Sequence, residues 1–101
     1  MKAEIFDQYA QAVIKKYKVS KKELFGKSQK VCIADARYML FYLCSKRSIP
    51  VMYIQANMDR CGKQITHSTI IHGIKKIEQQ VRQDIDMMVI ANELMEDECT
   101  L

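Results

Sequence analysis

Thr66-His67-Ser68-Thr69 gathers one imidazole and three hydroxyls in four consecutive positions. Side chains of this kind can donate to or accept from the edges of bases, and a threonine methyl suits a thymine methyl. They are poorly arranged for catalysis. His67 and Ser68 are adjacent, too close along the chain to serve as a nucleophile and its base, and spacing places no acid beside them. Paired catalytic carboxylates, a Gly-rich phosphate loop and a Walker lysine motif are all missing from the sequence. His72 follows His67 by five positions, which is not a metal-binding helical spacing. The cysteines Cys32, Cys44, Cys61 and Cys99 are spaced 12, 17 and 38 apart and form no CxxC pair. No metal site, no cofactor and no enzymatic activity are expected.

Charge points to a polyanionic partner instead. The chain has 101 residues, with 16 Lys+Arg against 12 Asp+Glu and a formal charge of +4. Residues 84–101 contain six acids and no base. The first 83 residues therefore hold sixteen bases against six acids, a net +10. A basic body of this size suits nucleic acid. Lys27, Lys30 and Lys63 upstream of the polar tetrad, and Lys75 and Lys76 downstream, are the candidate phosphate contacts. Lys15, Lys16, Lys18, Lys21 and Lys22 extend the basic run, with a solvated helix face as the competing reading. The opening Met1-Lys2-Ala3-Glu4-Ile5 has no apolar signal core, and no window approaches the ~18 apolar residues of a membrane span. A cytoplasmic chain with four reduced thiols is expected.

The elements that must position these groups read as helices. Hydrophobic residues make up 49% of the chain, with three Gly and one Pro, which leaves little for strand turns. A single all-α domain over residues 1–101, a compact bundle of about six helices, is expected. Phe6, Tyr9, Ala10, Val13, Ile14 and Tyr17 recur at helical steps over residues 3–17. Ser20-Lys21-Lys22-Glu23 has the form of a capping box for a short helix that Gly26 stops. Residues 33–45 are apolar nearly all round, as a central helix requires, with Arg37 and Asp35 inside that run. An internal Asp35–Arg37 ion pair is one expectation there. Ser48 and Pro50 suggest an N-cap and first turn for a helix over 50–58, with Val51, Ile54 and Met58 inward. Thr66 caps the next helix, whose inner face holds Ile70, Ile71, Ile74, Ile77 and Val81, with His72 also mostly inward. A last helix over about 84–96 should turn Ile85, Met88 and Val89 inward, with Leu94 or Met95, either continuing the previous helix or following a kink near residues 83–84. Alternatively these residues, with Met87 and Met95, form an exposed face for another protein.

Across residues 48–82 the order is helix, Gly-containing break, helix with small polar residues at its start. That is the order of a helix-turn-helix, whose second helix offers its first residues to the major groove.

The stretch Thr66-His67-Ser68-Thr69-Ile70-Ile71-His72-Gly73-Ile74-Lys75-Lys76-Ile77-Glu78 resembles the signature of the C-terminal DNA-binding domain of the bacterial replication initiator DnaA. Tyr17 to Leu24, Ile33 to Met39 and Ser48-Ile49-Pro50 are similar to further segments of that domain, in the same order, and cover about residues 9–95. The resemblance implies double-stranded DNA as partner and a role in replication control or transcription, in a bacterium, phage or mobile element. It implies base contacts from His67, Ser68 and Thr69, a DNA contact from Arg37, and phosphate contacts from the loop Lys27 to Lys30. The chain departs from the pattern where Lys63-Gln64-Ile65-Thr66 replaces Gly-Gly-Arg-Asp, with about four extra residues between the two helices, and where Gln29 and Tyr38 replace an Arg and a Gln. These departures leave a second expectation standing, a protein-interaction adaptor that keeps the fold without specific DNA reading.

Overall fold

The computed structural model describes residues 2–99, with side chains from residue 3 to residue 95. Six helices, and no strand among the described residues, make up an all-α fold: α1 (Lys2–Tyr17), α2 (Lys21–Leu24), α3 (Val31–Lys46), α4 (Val51–Arg60), α5 (His67–Gln83) and α6 (Ile85–Cys99). The expected acidic end, Glu96-Asp97-Glu98 onward, lies outside the described side chains.

α3 is the central helix. It packs most extensively against α5 and α1, and its Met39, Leu40, Phe41, Leu43 and Cys44 are wholly buried. Burial pushes the Cys44 thiol up to about 12, so it behaves as a small apolar group. Phe6, Tyr9 and Val13 of α1, Ile54 and Met58 of α4, and Ile70 and Ile77 of α5 complete one continuous core. Gly73 lets α5 lie close on α3: a Cβ there would overlap the Tyr38 ring and crowd Phe41.

The caps explain where the helices stop. The Ser20 hydroxyl accepts the Glu23 N–H, while the Glu23 carboxylate accepts the Ser20 N–H, so the capping box forms as the sequence predicts. α1, α3 and α4 each end in a Schellman motif. The closing bonds run from Val19 N–H to Ile14, from Ile49 N–H to Cys44 and from Lys63 N–H to Met58. The left-handed residues at these ends are Lys18, Ser48 and Gly62. Ser48 therefore finishes α3 instead of capping α4, for which Pro50 holds the N-cap position. Gly62, at φ +102, turns the chain out of α4 without the strain a side chain would bring.

Three further expectations are corrected. Ile71 is 40% exposed, off the buried face of α5. His72 is exposed, with its ring edge-on to Tyr38 at 5.8 Å. On α6 the buried residues are Ala91 and Leu94, supported by Met87, Ile90 and Met95. Ile85, Met88 and Val89 occupy the opposite side, 74%, 42% and 44% exposed. The break before α6 falls at Asp84, so the kink is the alternative that holds, and the Asp84 carboxylate accepts the Asp86 N–H.

Candidate nucleic-acid interface

α4 and α5 pack against one another and against the central scaffold, joined by the turn 61–66. Thr66 is the N-cap of α5: its Oγ1 accepts the Thr69 N–H at 3.2 Å and lies 2.9 Å from the Thr69 hydroxyl. One threonine thus fixes both the start of α5 and the rotamer of another candidate contact. His67 and Ser68 are exposed on the first turn, and Thr69 is half-buried beside them. His67 is not free to swing, because its Nε2 lies 2.8 Å from Gln55 Oε1 on α4. The other end of the Gln55 amide donates to the Ile65 carbonyl at 2.8 Å. One α4 side chain therefore ties the turn and the imidazole together.

Next to that turn runs a groove of about 460 Å³, walled by Gln29, Arg37, Tyr38, Lys63, Thr66 and Thr69. A second depression, about 580 Å³, continues past Lys63 to Gly26 and Lys27. The basic loop after α2 and the first turn of α5 therefore border one surface. Neither Lys27 nor Lys63 has an ion-pair partner among the described residues. Half-burial holds the Lys63 ammonium below the ordinary lysine range, and repulsion from Arg37 and Lys27 adds to this. An arriving phosphate would relieve that repulsion.

Arg37 borders this groove with most of its donors turned inward. It is 7% exposed, and its guanidinium donates to four carbonyls: Leu24 at 2.7 Å, Ser28 at 2.8 Å, and Glu23 and Gly26 at 2.9 Å each. Four of its five N–H groups are committed to the chain itself. Nor does it pair with Asp35, which instead meets Lys76 at 3.8 Å. What Arg37 does is hold the end of α2 and the loop behind it, including the residues either side of Lys27. Only a planar fork of donors can gather carbonyls from several directions in this way.

The remaining predicted residues are not all brought together. Lys30 is the exposed N-cap of α3, next to Gln29, and its charge acts on Glu23. Lys75 is exposed beyond the first turns of α5. Lys76 is drawn back to α3, its ammonium 5.5 Å from the centre of the Tyr38 ring. Gln55 is an addition that the sequence does not reveal, since a mid-helix glutamine carries no pattern of its own.

No solved structure matches the chain. Over residues 6–77, well beyond half its length, it matches the family described as the bacterial dnaA protein helix-turn-helix. With α4, the Gly62 turn and the Thr66-capped α5 in that region, the chain belongs to this family of DNA-binding helix-turn-helix domains.

Proposed function

We propose that this protein binds double-stranded DNA with sequence preference, in replication control or transcription, within the cytoplasm of a bacterium or on behalf of a phage or mobile element. The first turn of α5 enters the major groove, where His67, Ser68 and Thr69 address base edges and Thr66 shapes the turn. Lys27, Lys30 and Lys63 meet phosphates, and Lys75 follows the backbone further along. Arg37 acts by holding the loop that presents Lys27 and Lys30. The observation that carries the reading is the unpaired cationic pair Lys27 and Lys63 beside a capped, polar helix start. Free N–H groups at such a helix start favour a phosphate as well.

The test is a mobility-shift series at graded salt with the full chain. Lys27→Ala with Lys30→Ala should weaken binding to every duplex, whereas His67→Ala with Ser68→Ala should erode preference among duplexes. If Lys27, Lys30, Lys63 and Lys75 all meet phosphates, affinity should fall by roughly 10² between 50 and 200 mM salt. Failure to bind any duplex at about 50 mM salt refutes the proposal. A second use, as a protein adaptor, is favoured by the exposed stripe Ile85, Met88 and Val89 on α6. It gains ground if DNA binding fails and that stripe is protected by a protein partner.

A further inference from the structure

The chemistry of the imidazole at the head of α5 follows from its neighbours. The Ile65 carbonyl can only accept a hydrogen bond, so the Gln55 amide atom 2.8 Å from it is the nitrogen. The other amide atom is then the oxygen, and it too can only accept. His67 Nε2, at 2.8 Å from that oxygen, must therefore carry the hydrogen. A neutral imidazole has one N–H, so its Nδ1 is left with a lone pair. Nδ1 makes no hydrogen bond to any described residue, and the side chain is exposed at the helix start. The chain of constraint ends in backbone that Thr66 anchors as the N-cap, so it does not depend on a mobile group.

We propose that Gln55 determines what His67 reads: it holds the ring with Nδ1 as an acceptor, aimed at an exocyclic amino group in the major groove. The inference rests on the DNA-binding reading above and specifies its chemistry. Only adenine N6 and cytosine N4 offer such a donor there; guanine presents N7 and O6, and thymine O4, which are acceptors. Removing that amino group from the pair it reads should weaken binding by roughly 2- to 10-fold, the worth of one neutral hydrogen bond. Gln55 is a positioning residue, touching no base itself.

The experiment is selection of the full chain on a randomised duplex pool, followed by sequencing, for the natural protein and for His67→Ala, Gln55→Ala and Gln55→Glu. The His67→Ala pool identifies the position read by the ring, as the one it flattens. In the natural protein, replacing the adenine of that pair by purine, or its cytosine by 2-pyrimidinone, removes only the exocyclic amino group and should cost as much affinity as His67→Ala. Gln55→Ala should flatten the same position alone, leaving the salt dependence of binding unchanged. In Gln55→Glu no donor remains for the Ile65 carbonyl and a carboxylate faces Nε2, so the preference at that position should change. A pair that lacks the exocyclic amino group yet is bound as tightly as the natural pair overturns the inference, as does an unchanged motif in both Gln55 variants. A loss spread over all positions in Gln55→Ala overturns it too, since that marks a support for the turn and no more. Failure of the natural protein to enrich any motif counts separately, against sequence preference itself.

Discussion

Replacing Arg37 with alanine separates an internal clamp from a DNA contact. The variant loses four hydrogen bonds from a charged donor. The Leu24 carbonyl is buried and would be stranded, at about 1–3 kcal/mol. The Ser28, Glu23 and Gly26 carbonyls are partly buried and can recover water, at roughly 0.5–1 kcal/mol each. The sum is about 2.5–6 kcal/mol, a large share of the ~5–15 kcal/mol that holds a domain together. Tm should fall by roughly 15–30 °C when followed by circular dichroism. Arg37→Lys keeps the charge but not the fork, so it should recover less than half of the loss. Measured below its own melting temperature, Arg37→Lys should also bind DNA with a slope against salt shallower by about 1–2, because the loop no longer presents Lys27 and Lys30 together. The reasoning is refuted if Arg37→Ala melts within about 1 kcal/mol of the natural protein while DNA binding is abolished, the signature of a side chain spent on phosphate.

Two further predictions concern the scaffold around the site. Gly73→Ala gains about 1 kcal/mol of helix propensity but forces a methyl into Tyr38 and Phe41, at roughly 1–3 kcal/mol or more. Tm should therefore drop by up to about 10 °C, where an exposed helical glycine would show a rise. Glu23 is held below the ordinary carboxylate range by hydrogen bonds from the Ser20 backbone and then its hydroxyl. A depressed folded value means that its stabilisation is present at neutral pH and is lost as pH falls from about 4.3 through the lower folded value. In Glu23→Gln, urea midpoints measured between about pH 3 and 5 should fall less steeply than in the natural protein.

Much of this architecture is written locally. The capping box at Ser20, the Thr66 cap and the apolar period of α1 are set by neighbours three and four positions away, and each forms as the sequence predicts. Where two local signals compete, the sequence is ambiguous. Ser48 two residues before a proline has the form of an N-cap, yet the same residue can close the helix before it, and the buried Ile49 pulls it to that role. In α6 nearly every position from 85 to 91 except Asp86 is apolar, so periodicity alone cannot say which side meets the core. Docking against α5, α1 and α3 decides it, leaving Ile85, Met88 and Val89 outside. The site follows the same rule. The polar tetrad and the loop lysines are visible as residue types at a helix start and in a basic connection. Arg37 and Gln55 take their roles from partners up to 14 positions away, on carbonyls and an imidazole that only the folded chain brings within reach.

The central claim is that duplex DNA is held on the face formed by the α2–α3 loop and the first turn of α5. An amide NMR titration of the full chain with a duplex of about 20 base pairs drawn from a random pool, at about 50 mM salt, tests it most directly. Shifts concentrated on Lys27 to Lys30 and Lys63 to Thr69, fading as salt is raised, are the predicted result. A spectrum that does not move, or shifts gathered on Ile85, Met88 and Val89, would contradict it.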